Sequence, residues 1–163
     1  MALEIRDAAP SEHDRLLSLV MAAYAQFDPF VSPEFVAGFR DDVRRLMNDP
    51  DTRVIVAELD SALAGTITFY PEGRTYDEDL PEGWACLRTL AVLPSARGRG
   101  VGRALMNECL VRARALGRSR MLLHTLEFMT AAIALHESLG FRREPDLDAR
   151  GPKLTFLAYV VDL

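Results

Sequence analysis

The stretch "WACLRTLAVL" at 84–93 is almost wholly apolar, stops at Pro94, and passes through "SARGRGVG" directly into "RALMNECLVRARAL". No other part of the sequence constrains the fold as strongly. A long apolar strand reads as a central one, covered on both faces. After it, Val101, Leu105, Cys109 and Ala113 recur every fourth residue, with Met106 and Leu110 beside them, so a helix runs from about Gly100 to Leu116. Gly117 is placed to cap it. A strand that turns through glycines into a helix leaves several backbone N–H groups unpaired at the helix start, where the helix dipole is positive. Such a terminus suits a phosphate or pyrophosphate, and glycines let the ligand come close.

Charge supports an anion at this point. The chain carries a net −5, yet residues 97–120 hold seven arginines and one acid, Glu108, a local +6. Arg97, Arg99 and Arg103 belong to the motif, whereas Arg112, Arg114, Arg118 and Arg120 read as the solvated face of the helix and its exit. A P-loop is excluded because Gly102 is followed by Arg103 and Ala104. A dinucleotide fingerprint starting at Gly98 would need glycine where Arg103 stands. The pattern Arg-x-x-Gly-x-Gly is matched by Arg97, Gly100 and Gly102. Taken alone, the six residues also suit a glycine-rich turn with solubilising arginines.

The remaining segments set the fold class. "LEIRDA" alternates as a first strand, and Pro10 and Ser11 open a helix carrying Leu16, Leu17, Val20, Met21 and Tyr24. Ser32, Pro33 and Glu34 form a helix start, followed by Phe35, Val36, Phe39, Val43 and Leu46 until Pro50. "TRVIVAEL" and "AGTITFY" read as a hairpin about a turn at "DSAL". Residues 71–83 form a loop, "RMLLHT" a strand, "FMTAAIALHESL" a helix ended by Gly140, and "PKLTFLAYVVDL" a last strand. The expectation is an α/β (α+β) domain with a mixed, mostly antiparallel central sheet flanked by helices. A length of 163 residues suits one domain.

Several function classes are disfavoured. The negative net charge argues against nucleic acid. The longest apolar run, residues 16–25, is too short to span a membrane, and the N-terminus lacks a secretory pattern. Cys86 and Cys109 make neither a disulfide framework nor a CxxC pair, and they read as small core residues. His13, His124 and His136 show no metal-ligand spacing. The expected setting is cytoplasmic, with no membrane, nucleic-acid or metal partner.

With those residues in view, "LAVLPSARGRGVGRALM" resembles the acetyl-CoA-binding motif of the GNAT superfamily of N-acetyltransferases. "AAIALHESLGF" resembles that family's next motif, usually "A..LYE..GF". The resemblance is specific over residues 85–143 and weak elsewhere. It implies one N-acetyltransferase domain over residues 1–163, monomeric or homodimeric, with acetyl-CoA as co-substrate and no metal. By resemblance, Leu90, Ala91 and Val92 pair with the pantetheine arm, while Arg97, Gly98, Arg99, Gly100, Val101, Gly102 and Arg103 hold the pyrophosphate. The strand ending at Val92 is then expected to splay from "RMLLHT". The Val92 backbone N–H serves as oxyanion donor, and the acetyl group passes directly to a primary amine of a small molecule or peptide.

The sequence departs from the family at His136, where tyrosine is usual and often protonates the leaving thiolate. His136 shares a helical stripe with Met129, Ala132 and Ile133. It is a candidate general acid or sulfur partner, with a packing role as the alternative. Met129 replaces a frequent asparagine, and Cys86 stands nearest to where relatives often place a carboxylate. His124 is a candidate base, substrate contact or structural residue. Tyr24, Phe27, Phe30 and Tyr70 are candidate acceptor-pocket residues. The loop acids Glu72, Asp77, Glu78, Asp79 and Glu82, against Arg74, suggest a cationic acceptor or a merely solvated loop. Two rival readings are an acyl-CoA-binding sensor that does not turn over and an acetyltransferase acting on another protein.

Overall fold

A computed structural model describes residues 1–75 and 78–163. In chain order the main elements are β1 (Leu3–Asp7), α1 (His13–Tyr24), α2 (Pro33–Asn48), β2 (Arg53–Leu59), β3 (Ala62–Tyr70), β4 (Trp84–Val92), α3 (Val101–Ala115), β5 (Arg120–Thr125), α4 (Thr130–Ser138), β6 (Arg142–Arg143), β7 (Ala149–Arg150) and β8 (Thr155–Asp162). The strands form one sheet in the order β1-β2-β3-β4-β5-β8-β6, and β7 pairs with β8. All neighbours are antiparallel except β4 and β5. Among the described residues no helix is long and apolar enough to cross a membrane.

The period-two pattern of β2 shows how both faces are covered. Val54 and Val56 lie under Leu16, Val20 and Val43 of α1 and α2. Ile55 and Ala57 face the opposite way, into a cluster with Leu105, Met106 and Cys109 of α3. Cys109 is fully buried, and burial pushes its thiol up to about 12. Ser32 accepts a hydrogen bond from the Phe35 N–H at 3.1 Å, and Pro33 opens α2, as the capping pattern requires. The turn joining β2 and β3 places Asp60 and Ser61 at φ 51° and 67°, the left-handed pair that a two-residue hairpin needs. At Gly65 a Cβ would come within 2.8 Å of the Ala91 carbonyl oxygen and 3.0 Å of Val101, so β3 takes the start of α3 in direct contact.

Three departures from the sequence reading have physical causes. Ala25–Phe30 forms a 3-10 segment between α1 and α2. Pro29, which lacks an N–H, stands inside this segment. β6 and β7 are two residues each, too short to display a period. The last strand starts at Thr155 rather than near Pro152, because a proline cannot donate to a sheet ladder.

β4 and β5 pair only at Trp84↔Arg120, Ala85↔Met121 and Cys86↔Leu122. Beyond that point β4 stays with β3 as far as Val92↔Gly65, while β5 stays with β8 as far as Thr125↔Leu157. The two strands therefore diverge. β4 also carries a bulge, since Thr68 faces Arg88 and Thr66 faces Ala91, and Thr89 within it has φ 57°. A β-branched residue in that region is strained, and a bulge bends the strand that carries it.

Candidate active site

The gap between β4 and β5 opens onto two cavities. The first, of about 540 Å³, is bounded by the end of β4, the turn before α3, and α4. The second, of about 460 Å³, lies between α1, α2, the bulge in β4 and the end of β5. Tyr24 and Met129 line both.

The glycine turn shapes the first cavity. Gly98 and Gly100 hold φ 76° and 81°, and a Cβ on either would meet nothing within 4 Å. Gly100 caps α3 in the left-handed conformation. An open, positively polarised backbone thus faces the space where a ligand would sit. Gly102 does a different job: its missing Cβ lets Leu135 of α4 approach, to 3.3 Å from where that atom would stand. Leu90, Ala91, Val92, Arg97, Gly98, Gly100, Val101, Gly102 and Arg103 all line this cavity. Arg99 is exposed outside its lining. Arg97 donates to the Ala23 carbonyl at 2.9 Å and Arg103 to Ser138 Oγ at 2.8 Å, so both guanidinium groups are held in place.

The Leu93 N–H donates to the Ala64 carbonyl at 2.9 Å, on the β3 side of the strand. Alternation along a strand turns the Val92 N–H to the opposite edge, where β5 has left. In the bulge the Leu90 carbonyl accepts the Tyr24 hydroxyl at 2.9 Å. Burial raises the Tyr24 phenol well above its ordinary value, so it stays protonated.

The second cavity is mainly apolar, with Phe35, Phe39, Leu46, Leu126 and Phe156 in its wall. Its charged groups are Asp42, Glu78 and Arg88, and Arg88 pairs with Glu78 at 3.2 Å. One acid of the loop therefore reaches the cavity already paired; Asp77 lies outside the described residues. His124, two residues beyond the last β4–β5 pair, lines the same wall.

Other expected site residues stand elsewhere. Tyr70 is fully buried and lines neither of these two cavities; its hydroxyl donates to Asp49 Oδ2 at 3.1 Å. It faces the core because β3 buries both its faces at that end. Phe27 and Phe30 line the first cavity rather than the second, since the 3-10 segment carries them over the glycine turn. There they meet Phe128, at ring separations of 5.6 and 4.9 Å. His136 lines neither of these two cavities, is 4% exposed, and packs on Phe141 at 6.0 Å. Among the described residues its Nδ1 has no hydrogen-bond partner, and burial lowers its pKa to about 4. The sequence reading missed Phe35, Phe39, Arg88 and Phe156 as cavity residues. Their helical and strand periodicity marks an inward face but not which inward face borders a gap.

A mixed sheet with one parted parallel pair sets a glycine-cradled helix start, suited to an anion, on one side and an apolar pocket on the other. The sequence profile of the Acetyltransferase (GNAT) family matches residues 16–141. The chain belongs to this family. It is 41% identical over 63 residues to a mycothiol acetyltransferase of Geodermatophilus obscurus, covering 39% of this chain and 20% of that protein. It is 31% identical over 105 residues to an IAA acetyltransferase of Azospirillum brasilense, covering 63% of each. The chain thus spans less than two thirds of the length of either relative. The fold matches that of a PaiA N-acetyltransferase from Thermoplasma acidophilum in complex with coenzyme A. That match has a TM-score of 0.73 at 16% identity and covers 97% of this chain and 98% of that one.

Proposed function

We propose that the protein transfers an acetyl group from acetyl-CoA to a small primary amine, with both substrates bound at once. The observation that carries this reading is the parting of β4 from β5 after Cys86 and Leu122, between a glycine cradle and an apolar pocket. The residues present fit the coenzyme. Gly98 and Gly100 leave open the space that side chains would fill, and the N–H groups at the start of α3 point into it. In this reading Arg97, Arg99 and Arg103 supply positive charge around the diphosphate, and Leu90–Val92 pair with the pantetheine arm. The coenzyme, when bound, supplies an activated thioester.

The chain's own groups then have separate tasks. The Val92 N–H donates to the thioester carbonyl oxygen as charge develops on it. Tyr24 carries the one hydroxyl among the residues shared by both cavities, and it is the proton donor to the departing sulfur. His136 is neutral at pH 7 and supports α4 by packing. The acceptor sits among Phe35, Phe39 and Phe156, which favours an amine on an aromatic or branched apolar body over a polyamine. A cavity of this size suits a small ligand.

The test is titration calorimetry with acetyl-CoA beside a thiol-release assay over amines, with products identified by mass spectrometry. The panel holds arylalkylamines, polyamines and a lysine peptide. Tight binding with fastest turnover of arylalkylamines is expected. Binding without turnover of any amine would instead favour a sensor role, and acetylation of the peptide alone a protein substrate.

A further inference from the structure

We infer that Nδ1 of His124 is the general base that takes the proton from the acceptor amine. This inference rests on the acetyl-transfer reading above. The geometry fixes the tautomer. His124 Nε2 lies 2.9 Å from the Leu147 carbonyl oxygen, and a carbonyl only accepts, so Nε2 carries the hydrogen. In the neutral ring Nδ1 then holds a bare lone pair. Among the described residues nothing donates to it, it is not sealed from solvent, and its residue lines the second cavity.

Position agrees with chemistry. The β5 period puts Leu122 and His124 on the face away from α3, whose partners on this strand are Met121 and Leu123. That is the acceptor side of the gap. On the other strand of the pair, β8, Ala158 stands opposite His124 and brings no charge. The charged groups around the ring are Asp42 from α2, Glu78 with Arg88, and Asp148 with Arg143 at 2.7 Å. Asp148 also accepts from the Ala158 N–H at 2.8 Å, so it is held and does not compete for the amine. An alkylamine nitrogen turns acidic as its C–N bond forms, and an imidazole, although the weaker base towards the free amine, can then take that proton and pass it to solvent.

The balance is simple. A C–N bond forms as the C–S bond breaks, and the alkylammonium sheds two protons. One leaves through His124 Nδ1 to solvent, and the other restores the proton that Tyr24 gives to the departing sulfur.

His124→Gln separates base from anchor, because its amide N–H still reaches the Leu147 carbonyl while no basic nitrogen remains. With the best amine, kcat/KM is expected to fall about 10²–10⁴-fold. With no base in place its rate should follow the fraction of free amine and keep rising towards the amine's own ionisation, and the acetyl-CoA dissociation constant should stay within about twofold. A His124→Gln enzyme that keeps the wild-type profile overturns the proposal. Wild type that binds acetyl-CoA yet acetylates no amine overturns the acetyl-transfer reading itself, and the base with it. Long-range ¹H–¹⁵N NMR of the histidine rings gives a check independent of turnover. The signal lost in His124→Gln should report a protonated Nε2 and a bare Nδ1 at pH 8, and the opposite tautomer refutes the assignment.

Discussion

Tyr24 shows how much one side chain can decide here. Its ring lies tilted against Phe39 at 4.8 Å and stands edge-on to Phe27 at 5.8 Å, so it is fixed between the two cavities. Its hydroxyl donates to the Leu90 carbonyl in the bulge. Tyr24→Phe keeps the ring and removes only the oxygen. The lost hydrogen bond costs about 1 kcal/mol of stability, a modest change readable in a urea titration. Turnover should fall further, by roughly 10²-fold or more, because the proton donor is gone. The KM for the amine should move little. If kcat of Tyr24→Phe equals that of wild type, the hydroxyl has only its structural role.

At the scale of elements, the junction of β4, the glycine turn and α3 does most of the positioning. This junction was legible in the sequence, because apolar run, proline, glycines and helical stripe each have a distinct local signature. The divergence of β4 and β5 was expected only through family resemblance: pairing is a relation between distant residues, and no local pattern announces where it stops. The bulge at Thr89 was invisible for the same reason, since threonine is an ordinary strand residue and its φ of 57° is imposed by the fold. Tyr70 was misplaced because a strand-end aromatic reads alike whether it meets a pocket or Asp49. Gly100→Ala tests the junction directly. A Cβ there has room, so the fold survives, but the left-handed φ of 81° costs a non-glycine residue about 1–2 kcal/mol. The turn is expected to relax away from that geometry, and acetyl-CoA affinity to drop about tenfold or more by calorimetry. Unchanged affinity would show that the α3 start does not grip the coenzyme.

The whole molecule should lose stability in mild acid, and one residue accounts for the window. His136 has an ordinary value of 6.5 and a folded value of about 4, because burial disfavours its charged form. Between those values the unfolded chain binds a proton that the folded chain refuses, so stability falls as pH drops from 6.5 towards 4. The full difference is about 3 kcal/mol at 1.36 kcal/mol per pH unit. The carboxylates act lower. Glu12, paired with Arg6, and Asp148, paired with Arg143, are both held at about 2, so their stabilisation is lost only as pH falls below their ordinary values of 4.5 and 3.8. The interval from 4.5 to 6.5 therefore belongs mainly to the α4 histidine. His136 lies on the helix whose Ala132 and Leu135 wall the first cavity, so charging it should loosen that wall and weaken acetyl-CoA binding together with the fold. Urea midpoints at pH 7, 5.5 and 4.5 should decline steadily for wild type and much less for His136→Phe, which has no proton to gain. Parallel declines in the two proteins would place the acid-sensitive group elsewhere.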